Sequence, residues 1–438
     1  MKSQGDSMTL SRDGRTAVTE WIKEMAHPLT TADPSAPLDD LRPLLSMLGD
    51  GVSVVGCGAG TRGAHEILAL QARLARLLVV EAGFRAVVLD QDWTLGVGLD
   101  EFVRTGTGDP EALLARAEPF SRTEEVLELL EWMRTFNMAH PGDPVRFVGV
   151  SPHEVRGSAY DTVVDFVRRA APDRVAELEA CYAGLRPGDD VRSHTRRFRD
   201  LPARTVWVDR ARAAHALVAG VPAERDGHAW AVQNARLIVQ YYELHDHDQQ
   251  PLDPHNMAQF ERFFAENLAW WHEHTGHKAL FWSSSSHTSN GSGRAMSFPP
   301  NPVRVSRNAG SYLRDRFGPR YTSIGLTFDH GELATHGDAP PHQVPNATPP
   351  FAESVLSASG ISAFLLDLGG TPPPPVAEWL DQISRLRAIG PRYDPDNDAA
   401  HHMTGGSLAE WFDIVVHCRR VTPARPIRNT GRRAAVLR

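Results

Sequence analysis

The chain has 438 residues, 41% of them hydrophobic and 23% charged, which allows a large buried core and excludes a disordered or fibrous chain. A formal net charge of -8 leaves no basic stripe for a phosphate backbone, so the expected partner is a small molecule and not nucleic acid. No run of about eighteen apolar residues is present, and residues 1–7 lack the charged-then-apolar order of a secretory signal, so a cytoplasmic protein without a membrane span is expected, its oligomeric state open.

In chain order, residues 52–55 form the first short apolar run without alternation, the pattern of a strand buried on both faces of a parallel sheet. A glycine-rich stretch follows. Beyond Gly63, Ile67, Leu68, Leu70, Leu74, Leu77 and Leu78 recur at three- and four-residue steps, which predicts an amphipathic helix. A second strand is expected over 86–89, then a helix carrying Val126, Leu127, Leu129, Leu130 and Met133, then a third strand over 145–150. Between 151 and 275 no buried strand is recognisable, and helical patterns cover 160–185, 205–219, 229–244 and 257–274. Strands return at 279–282, 322–326, 363–366 and 414–416, with irregular loops at 299–302, 340–350 and 371–375.

This alternation predicts an α/β fold, a three-layer sandwich around a mostly parallel central sheet, with its site at the carboxyl ends of the strands. Residues 1–150 and 276–438 read as one discontinuous core domain, and 151–275 as a helical insertion capping the active-site cleft.

The most informative segment runs from Val54 to Glu66, where a strand passes through glycines into a helix. Taken alone, Gly58-Ala59-Gly60-Thr61-Arg62-Gly63 satisfies the GxGxxG spacing that lets a phosphate approach a helix N-terminus. That reading needs an acidic residue about twenty positions on, whereas the candidate Asp90 lies 27 positions after Gly63, and Arg62 sits inside the loop. Cys57, Cys181 and Cys418 are far apart and lack CxxC spacing, which argues against a disulfide framework and a structural zinc; Cys57 reads as a small apolar filler. The run Leu244-His245-Asp246-His247-Asp248 offers metal-ligand types, but adjacent positions on a helix end point in different directions.

Together with its flanks, the glycine segment resembles the signature of the erythromycin esterase family, and the resemblance extends from about Leu45 to Pro426. Its landmarks come in order: Glu81 to Asp90, Glu125 to Arg134 followed by Val145 to Gly149, Ala265 to Leu268, Phe281 through His287, Ile324 to Phe328, Arg387 to Gly390 with Tyr393-Asp394-Pro395, and Phe412-Asp413. The family hydrolyses ester or lactone bonds with water as the nucleophile, activated by a histidine in the first motif with help from acidic residues. No metal or other cofactor is implied.

The resemblance puts Ala59 where the family has its first-motif glutamate and Arg62 where it has the histidine. A guanidinium stays protonated and only donates hydrogen bonds, so Arg62 is expected to hold an anion or a developing oxyanion, not to act as a base. Asp90 takes an acidic position at the end of the second strand, and Asp92, two positions on, is expected to share the cleft. Of the family's two later histidines, Ser284 replaces the first and His287 retains the second; His287 is therefore a candidate acid or base and Ser284 a substrate contact. Glu66 matches an acidic family position, His65 follows Arg62 by three positions and is the alternative base, and Arg134 is expected to pair with a carboxylate of the first two strands.

The sequence thus carries three functions. The first is an esterase scaffold remodelled for a non-hydrolytic step on an oxygenated, polyketide-like molecule, such as cyclisation, elimination or acyl transfer in natural-product tailoring. The second is an ester or lactone hydrolase whose base has moved to His287 or His65. The third is a ligand-binding pseudoenzyme.

Overall fold

The computed structural model describes residues 10–246, 254–335 and 340–427. Its main sheet runs in the order His27–Pro28, Ala363–Asp367, Ile414–Val421, Tyr321–Leu333, Val54–Ala59, Lys278–Ser284, Phe84–Asp92, Arg146–Ser151, and His342–Val344 pairs with the end of Tyr321–Leu333. The six strands from Ile414–Val421 to Arg146–Ser151 are mutually parallel; Ala363–Asp367 and His27–Pro28 add an antiparallel edge. All seven strands expected from apolar runs are present, and that at 363–366 departs from the parallel pattern by pairing antiparallel with Ile414–Val421.

Strand alternation divides the core in two. Val55, Cys57, Val87, Leu89, Phe147, Leu280 and Trp282 face helices His65–Glu81 and Glu124–Ala139. Val54, Ala86, Val88, Val148, Ala279 and Phe281 face the other way, onto Val163, Tyr241, Phe264 and Leu268 of helices Gly157–Ala170, His228–His245 and Pro254–Thr275. Helices on both faces of the sheet make three layers, as expected. The helices of 151–275 pack against that second face.

Local chemistry sets the boundaries. Helix Trp93–Thr105 starts because the Asp92 carboxylate accepts the Leu95 N–H at 2.8 Å and stops at Gly106, whose φ of 78° only glycine adopts freely. The helical pattern at 160–185 is two helices, Gly157–Ala170 and Val175–Tyr182, because Pro172 cannot donate into a continuing helix. Helices Arg12–Met25 and Val191–Arg199 were not legible as apolar stripes, nor was a second sheet of two- and three-residue strands, Leu386–Arg387, His402–Thr404, Ala295–Ser297 and Arg304–Val305.

The glycines at the start of the signature segment belong to the central strand, not to a turn. A Cβ on Gly58 would lie 2.2 Å from Thr288 Oγ1 and 2.7 Å from Ser285 Cα, so the bare backbone lets the turn after strand Lys278–Ser284 close over it. Ser285 Oγ donates to the Gly58 carbonyl at 2.9 Å across that contact. Gly58→Ala is expected to cost about 1–3 kcal/mol by overpacking, read in urea unfolding, while Gly142→Ala, with open space around the added carbon, leaves the midpoint nearly unchanged.

Candidate active site

A cavity of about 710 Å³ opens at the carboxyl ends of the central strands. Its walls are largely apolar, with Phe120, Met296, Phe298 and Ile389 among them, and Arg62, Ser284, Ser286 and His287 supply polar groups. Such a concave apolar site with a few convergent polar groups is where a small molecule binds.

Three strand ends and two helices assemble the chemistry. Arg62 extends from the loop after Val54–Ala59 to Asp90 near the end of Phe84–Asp92, its Nη1 and Nη2 donating to Oδ1 and Oδ2 at 3.2 and 2.5 Å. Ser283 lies between the strands, accepting from Arg62 Nη2 at 3.2 Å and donating to Asp90 Oδ2 at 2.9 Å. The guanidinium also stacks 3.8 Å above the Phe120 ring, which limits hydration of its outer face. Asp90 is therefore a buried carboxylate matched by a fork of donors.

His287 stands in the short helix Ser285–Thr288 that follows strand Lys278–Ser284. Its Nδ1 hydrogen-bonds Glu261 Oε1 at 2.8 Å, and its Nε2 is 3.8 Å from Asp90 Oδ2. The turn is pinned by Asn308, whose amide donates to the Ser286 carbonyl at 3.2 Å. Glu261 has 0% exposure and also accepts the Ala309 N–H at 2.9 Å. A carboxylate on Nδ1 selects the tautomer in which Nε2 carries the lone pair, the form a general base requires. Ser284 and Ser286 share a hydrogen bond at 2.6 Å on the cavity wall.

The structure thus brings together Arg62, Asp90, His287 and Ser284, and leaves four expected residues elsewhere. Asp92 does not share the cleft: its Oδ1 caps a helix, and burial pushes its carboxyl up to about 6. His65 is held at Nδ1 by Glu125 at 2.7 Å, off the cavity wall, and that hydrogen bond raises its pKa. Glu66 accepts the Thr422 N–H and hydroxyl at 2.6 and 2.7 Å, tying the helix to the returning chain. Arg134 has no carboxylate partner among the described residues; it lies against Gly106 and 5.3 Å from the Phe102 ring. The spacing rule failed for His65 because the chain between Arg62 and the helix is extended at Ala64, so the two side chains do not share a helical face.

Gly63, the last glycine of the dinucleotide-like spacing, has a packing role. Its carbonyl accepts the N–H groups of Ala334 and Ala424 at 2.8 and 2.9 Å, and a Cβ there would lie 2.0 Å from the Ala334 oxygen. The missing side chain serves that close backbone contact at the edge of the cavity. Cys57 is fully buried and its thiol is pushed up by burial, the behaviour of an apolar filler. His245 and Asp246 of the metal-type run contact His153 and Arg204 respectively, and His247 and Asp248 lie outside the described residues. Residues 1–7 lie outside them too, and no helix among the described residues is long and apolar enough to cross a membrane.

Comparison with known proteins gives the family. The family model described as erythromycin esterase matches residues 79–421. The chain belongs to the erythromycin esterase family. The erythromycin esterase type II of Escherichia coli is 25% identical over 166 residues, 37% of this chain and 39% of that protein, so the match spans well under half of the curated relative's length. A Bacillus cereus protein of known structure superposes with a TM-score of 0.82 at 26% identity, covering 94% of this chain and 99% of that one. A succinoglycan biosynthesis protein gives 0.80 at 24% identity over 95% and 99%. An erythromycin esterase mutant in its open conformation gives 0.64 at 14% identity over 91% and 98%, a likeness of fold.

Within this family member, Glu261, Ser283 and Phe120 escaped sequence reasoning. Glu261 left one signal: it precedes Phe264, Ala265 and Leu268 by three, four and seven positions, so a carboxylate occupies the buried stripe of its helix.

Two measurements check the electrostatics. Arg62→Met leaves Asp90 buried and unpaired and is expected to cost about 3–5 kcal/mol of stability; adding Asp90→Asn recovers most of it, as read by urea unfolding. For His65, whose folded pKa lies above its ordinary 6.5, the stabilisation is full below that value and is lost as pH rises through the raised one. The partner Glu125 keeps its charge to lower pH than usual: burial acts to raise its carboxyl, but hydrogen bonds from His65 and Arg425 outweigh it, so its share is lost only as pH falls below 4.5. As pH rises above 6.5 and through the raised pKa, the parent's unfolding midpoint should therefore fall relative to that of His65→Ala.

Proposed function

We propose that this erythromycin esterase family member hydrolyses an ester or lactone bond of an oxygenated small molecule, with water as the nucleophile and His287 as its base. The observation that carries this reading is the Glu261–His287 pair, whose buried carboxylate on Nδ1 leaves Nε2 as an acceptor at the cavity wall. A water bonded to Nε2 gives up a proton as it attacks the ester carbonyl; the imidazolium formed is stabilised by Glu261 and returns the proton to the departing alkoxide. Asp90, 3.8 Å from Nε2, accepts the second hydrogen of that water and orients it. Arg62, neutralised by Asp90 yet still a hydrogen-bond donor, and the Ser284 and Ser286 hydroxyls are the donors available to the developing oxyanion.

In this reading the segment 151–275 is a supporting layer that delivers Glu261 from beneath, since none of its described residues lines the cavity wall. The non-hydrolytic reading draws on a different observation: a guanidinium, which cannot take a proton, stands at the position where the family resemblance puts a histidine. The two part in heavy-oxygen water. Incubation with aryl esters and macrolactones should place the label in the acid product, and His287→Ala should lower kcat/KM by roughly 10²-fold or more. Turnover without label incorporation would assign a bond-forming or eliminating step, and a rate within a few-fold of the parent would remove His287 from the mechanism.

A further inference from the structure

Beneath His287 the ionic arrangement continues one residue deeper. Arg294 is 2% exposed and its guanidinium Nη2 lies 3.6 Å from Glu261 Oε1, the oxygen that holds His287. The same nitrogen donates to Ser306 Oγ at 3.0 Å, while Arg294 Nε has no hydrogen-bond partner. Arg294 thus makes few hydrogen bonds of its own for a group so fully removed from water, and burial lowers its pKa against the opposing pull of Glu261. A guanidinium placed there is explained by the carboxylate it faces.

The charge balance shows what it does. A fully buried carboxylate is costly unless a charge matches it. A base-competent His287 is neutral, and the Ala309 N–H supplies only a dipole. Asp90 and Arg62 cancel each other on the far side of the imidazole. Among the described residues that contact Glu261, this leaves Arg294 as the one permanent positive charge. We propose that Arg294 is a positioning residue for the reaction: by keeping Glu261 ionised without protonating His287, it holds the imidazole neutral with its lone pair on Nε2. Without that cation, the pair Glu261–His287 regains charge balance by binding a proton on the imidazole, which turns Nε2 from acceptor into donor.

This inference rests on His287 being the base, and its test separates the two ideas. Arg294→Gln should raise the acid limb of the kcat/KM profile by roughly one pH unit, so that activity falls about tenfold below the limb and recovers at alkaline pH. Arg294→Lys, which keeps the charge, should stay near the parental profile. A merely structural role for Arg294 would lower stability or activity at every pH and leave the limb in place, and that result would overturn the proposal.

Nitrogen-labelled histidine spectra, with His287 assigned by loss of its signals in His287→Gln, give the same answer without substrate. The parent should show neutral, Nδ1-protonated His287 at pH 7, and Arg294→Gln should shift its titration upward. A parent imidazole already doubly protonated at pH 7, or tautomerised to Nε2–H, would overturn the proposal even if no Arg294 variant folds. If the spectra behave as expected while His287→Ala retains activity, the positioning stands and the assignment of the base falls.

Discussion

Two carboxylates, Asp90 and Glu261, sit behind the cavity wall almost without solvent, and each has to be matched by a cation. Arg62 answers the first with a fork of donors, and Arg294 faces the second. Between the two pairs stands His287, reaching Glu261 through Nδ1 and Asp90 through Nε2. Each carboxylate therefore has a guanidinium of its own, and the imidazole lies between the two pairs. The rest of the site follows from that alternation of charge in a low-dielectric cleft.

The fold makes this possible by bringing distant segments to one edge. In a parallel sheet the carboxyl ends of all strands face the same way, so Arg62, Asp90 and Ser283, from three different strands or the loops that follow them, meet within hydrogen-bond distance. The glycines of the central strand contribute by what they lack. Gly58 lets the turn carrying His287 lie against the strand, and Gly63 lets the chain at 334 and 424 close over the helix start. A spacing that fits dinucleotide binding as a pattern is, in the molecule, a packing device.

Role and position separate in this site. At the first motif the guanidinium of Arg62 is absorbed by Asp90, while the histidine of the later motif has its own buried orienting carboxylate. The two acidic residues of the second strand divide their labour in the same way. Asp90 pairs with Arg62 and Ser283, and Asp92, displaced by a local shift in register between Leu89 and Asp92, turns to cap the next helix.

The sequence by itself determined the layers. Apolar runs without alternation specify strands buried on both faces, and intervening helical stripes specify what covers them, because burial is read at the period of each element. It also marked Arg62, Asp90, Ser284 and His287, which the structure brings to one end of the sheet. Only the tertiary structure decided the partners. Glu261 lies 26 positions from His287 on another element, and Arg294 arrives through a loop with no periodicity. His65 and Glu66 likewise found structural partners in Glu125 and Thr422, far along the chain. Which charge neutralises which is a property of three-dimensional distance and desolvation, and neither quantity is written in the local order of residues.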